Sequence, residues 1–321
     1  MSCFHPNFIR QRIDLDTGSV VSAFLGKALP YSPDLSGTFG DLVSGVRNEI
    51  LVPVPCGHCL GCNMDYAHQW ADRMVLELQS NPKAIFVTLT YRPSDLPLTE
   101  SGNPTLLKRH PQLFLKRLRR HFPGRQIRYY LCGEYGSNTH RPHYHAILYG
   151  LSLDDFPDCV LRNCNELDQP FYSSQIFADI WSYGFCLLSS VSWQTCNYVA
   201  RYVTKKQKPF DYGDRLPPYN LSSRKPGLGY DFCRKMLEDG VDHIDLRCGD
   251  SVKTVTFPST VLKKFCEYGL DKCVSIKYNK SESCRSSTLA QIDASGLSYD
   301  HILLNKERDL RNKLYQLPER L

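Results

Sequence analysis

Between residues 84 and 191 the sequence alternates short apolar runs with longer amphipathic stretches, and the order of these segments restricts the fold more than any other feature. Four runs are rich in aromatic and β-branched residues and are bounded by glycine, proline or polar residues, which is typical of buried strands. They are AIFVTLTY (84–91), IRYYLCG (127–133), HYHAILYG (143–150) and FCLLSSV (185–191). Helical patterns lie between them at residues 106–122 and 173–184, and we expect the second to end at Gly184.

The resulting order is strand, helix, strand, strand, helix, strand, which matches the split β-α-β arrangement of ferredoxin-like folds. It predicts an α+β core with an antiparallel sheet, a central hairpin and helices on one face. A further helix is predicted over residues 193–206, WQTCNYVARYVTKK, with a basic end.

The segments on either side of this core are less regular in pattern. Residues 1–65 contain Gly, Pro, Ser and a cysteine motif without a clear period, so we expect an irregular N-terminal segment. The core is predicted over residues 66–210, and residues 211–321 form a C-terminal extension with a hairpin near Gly249 and a polar helical tail. The sequence of residues 240–321 does not indicate a role.

The composition excludes some classes of protein and leaves others open. No run in the 321 residues is long and apolar enough for a membrane helix, and the first residues lack an apolar signal core, so we expect an intracellular protein without a membrane partner. The net charge of +6 is compatible with nucleic-acid binding. Basic residues concentrate in the helix at 106–122, whose face either contacts DNA phosphates or is simply solvated. The candidates for DNA contact there are Lys116, Arg117, Arg119 and Arg120.

Two histidines lie one residue apart on the third predicted strand. Because side chains at i and i+2 of a strand point to the same face, His143 and His145 project together. Glu134 ends the preceding strand, and antiparallel pairing can bring it beside them. Two imidazoles and one carboxylate are a common ligand set for a divalent metal ion. The histidines alone also fit an acid/base pair or ordinary packing.

The helix predicted at 193–206 carries Tyr198 and Tyr202 four residues apart, and therefore on one face. Arg201 and Lys205 each follow a tyrosine by three residues. A tyrosine can act as a covalent nucleophile when a nearby cation assists it, because its ordinary pKa is near 10. The alternative is an aromatic helix face that packs in the core.

The motif PCGHCLGC places Cys56, Cys59 and Cys62 at two-residue spacings. Thiolates with this spacing suit a tetrahedral Zn²⁺ site or an iron–sulfur cluster. The fourth ligand must come from elsewhere, and the candidates are Cys3, His5 and His58. The alternative is a set of reduced, buried thiols.

Four of these motifs together resemble those of a known enzyme family. VTLTY, CGEYG, RPHYHAIL and YVARYVTKK, in this order, are similar to the motifs of the HUH endonucleases of rolling-circle replication. The middle residue of the histidine motif, Tyr144, departs from the aliphatic residue usual there. MSCFHP, PCGHCLGC, QWADRM, WSYGF and SSRKPGLG resemble the replication initiation proteins of gokushoviruses, of the Microviridae.

The resemblance implies a site-specific nickase and ligase that starts replication of a single-stranded DNA phage. Mg²⁺ or Mn²⁺ would bind His143, His145 and Glu134, and a tyrosine would form a 5′-phosphotyrosine. Tyr202 ranks slightly ahead of Tyr198 as the first nucleophile, because Tyr202 and Lys205 match the Tyr-x-x-Lys helix of single-tyrosine relatives.

The same resemblance implies the partners and the place of action. The partners would be single-stranded origin DNA and a host DNA polymerase and helicase, in the cytoplasm of the bacterial host. Two other classes stay open: a non-catalytic single-stranded DNA-binding protein, and a His-x-His metal hydrolase of another kind.

Overall fold

The computed structural model describes residues 3–14, 17, 19–27, 49–136, 139–164, 168–201, 211–248, 251–267 and 271–316. The chain forms two compact units. One comprises residues 1–65 and 259–321, and the other comprises residues 66–258. The four predicted strands and both helices between them belong to the second unit.

The second unit is built on a seven-stranded antiparallel sheet with the order β10-β5-β6-β4-β9-β8-β7. Its strands are β4 Ala84–Thr90, β5 Arg128–Tyr135, β6 Pro142–Tyr149, β7 Val160–Cys164, β8 Pro170–Ser173, β9 Cys186–Ser190 and β10 Tyr219–Ser222. The inner order β5-β6-β4-β9 is that of the predicted ferredoxin-like core, so the α+β class is confirmed. The strands β7, β8 and β10 extend this core at its two edges.

One face of the sheet is covered by α2 (Arg109–His121) and α3 (Gln175–Trp181). Phe114 and Leu118 of α2 and Trp181 of α3 are fully buried in one hydrophobic cluster with side chains from β4, β5, β6 and β9. The spacing of Phe114 and Leu118 puts both on the same helix face. Burial of large side chains such as these stabilises the fold by about 1.5–3 kcal/mol each.

The start of α3 is fixed by two side chains that accept hydrogen bonds from its backbone. The hydroxyl of Ser174 accepts from Phe177 N at 3.0 Å. The carboxylate of Asp158 accepts from Ile176 N at 2.9 Å and from the Ser174 hydroxyl at 2.7 Å. The helix ends at Trp181, three residues before Gly184. A Cβ on Gly184 would lie 2.4 Å from the Arg92 amide nitrogen, so only glycine fits there.

The other face of the sheet carries α4 (Trp193–Arg201) and residues 66–80 of α1 (Leu60–Ser80). Trp70 of α1 packs on Tyr130 of β5, with ring centroids 4.9 Å apart, and Tyr149 of β6 donates to the Met74 carbonyl at 3.0 Å. Helices therefore lie on both faces, whereas the order of elements predicted them on one. The sequence order places α2 and α3 correctly, but α1 and α4 lie outside the repeating unit.

A buried ion pair joins α1 to β5 and to a turn at residues 227–229. Arg128 donates to both carboxylate oxygens of Glu77, at 2.5 and 3.2 Å, and to the Gly227 carbonyl at 3.0 Å. Glu77 also accepts from Gly229 N at 2.8 Å and from the Asn81 amide at 2.7 Å. The side chains of Arg128 and Glu77 are 6% and 2% exposed. The unit continues through α5 (Tyr230–Glu238) and the predicted hairpin, β11 (Ile244–Cys248) with β12 (Ser251–Val255).

The first unit contains a three-stranded antiparallel sheet with the order β2-β1-β3 and three helices near the C-terminus. Its elements are β1 Asn7–Ile13, β2 Val20–Gly26, β3 Glu49–Val54, α6 Ser259–Glu267, α7 Asp271–Ser295 and α8 Tyr299–Gln316. The helices agree with the predicted helical tail. The sequence pattern did not reveal the strands, because most residues of β1 and β2 are at least partly exposed and neither strand has a strongly apolar face. Within the described residues, every helix is too short or too polar to cross a membrane.

Candidate metal centre and tyrosine site

The register of the β5–β6 hairpin places three polar side chains on one face of the sheet. Glu134 is directly opposite His143, and Cys132 is directly opposite His145. Directly paired residues share a face of an antiparallel sheet, as do residues two apart on one strand. Glu134, His143 and His145 therefore converge on the face covered by α1 and α4.

The convergence is close in the structure. Oε1 of Glu134 lies 2.7 Å from Nε2 of His143 and 3.3 Å from Nε2 of His145. The two imidazole rings are nearly perpendicular, with centroids 5.0 Å apart. Glu134 and His145 are buried, and His143 is partly exposed. The structure thus brings together the three side chains that the sequence predicted as one site.

Each histidine is oriented through its other ring nitrogen. Nδ1 of His143 lies 3.1 Å from the Arg141 carbonyl oxygen, which can only accept, so Nδ1 carries a proton there. Nδ1 of His145 lies 3.0 Å from the hydroxyl of Thr88 on β4. Both contacts direct Nε2 toward Glu134, and such outer partners are what fix the orientation of metal-binding histidines.

Burial alone would raise the pKa of Glu134, but hydrogen bonds and charge from the two imidazoles outweigh it and lower the pKa to about 2. Glu134 is therefore an ionised carboxylate at neutral pH. One carboxylate oxygen and two imidazole nitrogens lie within 4.8 Å of one another. This donor set fits a divalent ion that accepts mixed nitrogen and oxygen ligands and keeps open positions for a phosphate.

Tyr198 lies on α4 beside this centre. Its ring packs edge-on against His145, with centroids 5.7 Å apart, and against Phe86 at 6.2 Å. Phe86 also stacks on His145 at 5.7 Å with the planes 8° apart. Burial first, and then the negative charge of Glu134, raise the pKa of Tyr198 above its ordinary value. The phenol is therefore protonated at neutral pH and needs a compensating positive charge to become a nucleophile.

Several predicted residues cannot be placed beside the centre. Tyr202 and Lys205 lie outside the described residues, as does the side chain of Arg201. Their roles, and the ranking of Tyr202 ahead of Tyr198, stay predictions.

The basic helix α2 lies on the face of the sheet opposite to the histidines. Arg117 donates to the carbonyls of Ile180 and Trp181, at 2.6 and 2.5 Å, at the end of α3. Arg119 donates to the Ile127 carbonyl at 3.2 Å, whereas the side chains of Lys116 and Arg120 are exposed. The structure therefore gives Arg117 a structural contact and does not bring α2 to the metal centre.

The sequence did not indicate two contributors to the centre, Thr88 and Arg141. Thr88 belongs to the motif VTLTY, but its contact with His145 depends on the β4–β6 register, which pairs the two residues directly. Arg141 contributes only its carbonyl, so its residue type carries no signal. The middle residue of the histidine motif, Tyr144, points into the core on the opposite face. Its hydroxyl lies 2.9 Å from the Tyr91 hydroxyl, donates to the Leu107 carbonyl at 2.9 Å and accepts from Leu107 N at 3.0 Å.

The fold and this centre define an α+β protein of ferredoxin-like topology with two histidines, one carboxylate and an adjacent tyrosine. A family model that describes replication-associated proteins of the ORF2 type matches residues 84–207, the segment from β4 through α4 that contains all of these side chains. No solved structure is significantly similar to the chain.

Three curated relatives are also phage proteins of replication. The replication-associated protein ORF2 of Spiroplasma virus 4 is 30% identical over 275 residues, which is 82% of this chain and 84% of that protein. The replication-associated protein VP4 of Bdellovibrio phage phiMH2K is 30% identical over 192 residues, 57% of this chain and 58% of that protein. The replication-associated protein ORF4 of Chlamydia phage 1 is 29% identical over 178 residues, 54% of this chain and 42% of that protein. The chain belongs to this family of phage replication-associated proteins.

Proposed function

We propose that this chain initiates rolling-circle replication of a single-stranded DNA phage by nicking and rejoining origin DNA through a tyrosine. The observation that carries the proposal is the convergence of Glu134, His143 and His145 on one sheet face with Tyr198 beside them. A non-catalytic DNA-binding protein has no need of this donor set. A metal hydrolase of another class has no need of a tyrosine beside it.

In the proposed reaction, a tyrosine oxygen attacks the phosphorus of one phosphodiester in line with the bond to the 3′ oxygen. The P–O3′ bond breaks, a 5′-phosphotyrosine forms, and the 3′ oxygen leaves and takes up a proton while the phenol loses one. A divalent ion, Mg²⁺ or Mn²⁺, held by His143, His145 and Glu134, would withdraw negative charge from the scissile phosphate.

The chain's own residues orient and hold the reacting groups. The Arg141 carbonyl and the Thr88 hydroxyl fix the two imidazoles, and Glu134 supplies the negative ligand. Tyr198 is held against His145 and Phe86, so its phenol is already positioned before DNA binds. Lys205 would stabilise the phenolate or the charge of the transition state.

Two tyrosines on one helix would allow a second transfer after a unit of genome has been copied. The free tyrosine would cleave the regenerated origin, and the released 3′-hydroxyl would attack the first tyrosyl ester to close the circle. A host polymerase would extend the first 3′-hydroxyl, and a host helicase would separate the strands, in the cytoplasm of the bacterial host.

The test uses the full chain with Mn²⁺ and labelled single-stranded oligonucleotides that tile the phage genome. We expect one tile to give a protein–DNA adduct that survives denaturation and maps by mass spectrometry to Tyr198 or Tyr202. The variants Tyr198→Phe and Tyr202→Phe should each retain some adduct, and the double variant should form none. Tyr278→Phe, at an exposed tyrosine of α7, is the matched control and should behave like the unmodified chain.

His143→Ala should abolish the adduct while DNA binding, measured by fluorescence anisotropy, persists. An adduct in the double tyrosine variant would refute the assignment of the nucleophile. DNA binding without an adduct on any tile would favour the non-catalytic alternative.

A further inference from the structure

The four cysteines of the first unit converge at one point, although Cys3 is more than fifty residues from the others in sequence. Cys3 precedes β1, Cys56 and Cys59 follow β3, and Cys62 lies in the first turn of α1. All four sulfur atoms lie within 4.8 Å of one another. Of the three candidates for a fourth ligand, the structure brings Cys3 to the motif. His58 is exposed, and His5 instead lies 2.8 Å from Glu307 of α8.

The spacing of the sulfur atoms identifies the kind of site. Sγ of Cys59 lies 3.8 Å from Sγ of Cys3, and Sγ of Cys56 lies 3.9 Å from Sγ of Cys62. A disulfide would require about 2.0 Å. Four thiolates placed tetrahedrally around Zn²⁺ at about 2.3 Å are about 3.8 Å apart, which is the observed spacing. In a four-iron cluster each cysteine binds a different iron, so its sulfur atoms stand farther apart than around a single ion.

Backbone amides are arranged to stabilise charge on these sulfur atoms. Cys59 Sγ accepts from Phe4 N at 3.4 Å and from Cys62 N at 3.5 Å. Cys3 Sγ accepts from Cys56 N at 3.3 Å, and Cys56 Sγ accepts from Cys59 N at 3.4 Å. N–H groups directed at sulfur favour the thiolate form, which is the form that binds metal. Buried neutral thiols have no need of such donors.

The backbone between the ligands has the conformation of a tight metal-binding turn. Gly57 has φ of +83°, which is favourable only for glycine and lets the chain turn back between Cys56 and Cys59. Cys3, Cys59 and Cys62 are buried, and Leu310 of α8 packs against the cluster. One ion here would join the N-terminal residues, the start of α1 and the packing of α8 within the first unit.

We propose that Cys3, Cys56, Cys59 and Cys62 hold one structural Zn²⁺ ion in tetrahedral coordination. The site shares no residue with the histidine centre, and the proposal does not depend on nicking activity. Its role is to stabilise a unit whose small sheet has little apolar surface to bury.

The experiment measures metal in the full chain, purified without a histidine tag and under reducing conditions. His143→Ala and His145→Ala are introduced first, so that zinc bound by imidazole cannot contribute. We expect about one zinc per chain that resists EDTA dialysis and is released by a mercurial reagent that binds thiolates. Cobalt substitution should give the intense visible bands and the sulfur charge-transfer band of a tetrahedral four-thiolate site.

Added to this background, Cys59→Ser should abolish the bound metal, and Cys59→His should retain it with weaker affinity. Cys164→Ser, at an exposed cysteine of β7, is the matched control and should keep one zinc. If Cys59→Ser is insoluble, mercurial release and the cobalt spectrum decide the matter on the unsubstituted cysteines. A folded, reduced chain without zinc, with iron in its place, or with a disulfide within the cluster would overturn the proposal.

Discussion

Glu77→Gln tests whether the buried ion pair with Arg128 holds the second unit together. The substitution keeps the shape of the side chain but removes the charge that compensates a guanidinium only 6% exposed. It also turns an amide NH₂ toward groups that can only donate, among them Gly229 N. Breaking a buried pair by altering one partner costs about 3–5 kcal/mol, so we expect the free energy of unfolding to fall by that amount.

Tryptophan fluorescence during urea unfolding is the appropriate measurement. The chain has three tryptophans, at positions 70, 181 and 193, and all belong to residues 66–258, so the signal reports this unit alone. The control is Glu238→Gln, which removes an exposed pair with Arg234 on α5 at 3.9 Å. Exposed pairs of this kind contribute at most about 0.5 kcal/mol.

A double substitution separates loss of the pair from loss of packing. Glu77→Leu combined with Arg128→Met replaces both charges by apolar groups, and it should cost at least about 2 kcal/mol less than the sum of the two single changes. Equal shifts for Glu77→Gln and Glu238→Gln would refute the reasoning. Additive effects of the two changes in the double variant would also refute it.

Three further predictions concern the centre, the core beneath it and α3. Thr88→Val removes the partner of His145 Nδ1 and should raise the Mn²⁺ concentration for half-maximal adduct formation about 10–100-fold, whereas Thr88→Ser should not. Tyr144→Phe leaves the backbone groups of Leu107 unpaired in the core and should cost about 1–3 kcal/mol in urea unfolding, while adduct formation persists. Burial tends to raise the pKa of Asp158, but hydrogen bonds from the start of α3 lower it overall, so this carboxylate stabilises the fold above about pH 4 and the contribution is lost as pH falls. Asp158→Asn should therefore lower stability at pH 7 and make the loss of stability from about pH 5 to 3 shallower, as measured by unfolding at several pH values.

The sequence predicted the centre well because its geometry follows from local rules. Strand periodicity alone places His143 and His145 on one face, and a short connection makes their strand the natural partner of the strand that ends in Glu134. The ferredoxin-like order followed from the strongest apolar runs. These runs are buried on at least one face in the structure, so their periodicity was clear.

The parts that could not be predicted depend on long-range contacts. The fourth position of the cysteine cluster had three candidates in the sequence, and only folding selects Cys3. Arg117 has the charge expected of a DNA contact, yet its guanidinium binds carbonyls at the end of α3. The residue type is the same in both roles, and the neighbouring segment that decides between them is more than sixty residues away.

The strand that carries the two histidines has its other side rooted in the hydrophobic core through Tyr144. Core and centre are therefore separated by the thickness of one backbone, and a loss of volume on one side shifts the side chains on the other. This arrangement has a genetic consequence. Changes at Glu134, His143 or His145 should abolish phage growth at every temperature. Conditional, temperature-sensitive mutants should instead concentrate among the core residues of β4 and β6, where heating loosens the support of an otherwise intact centre.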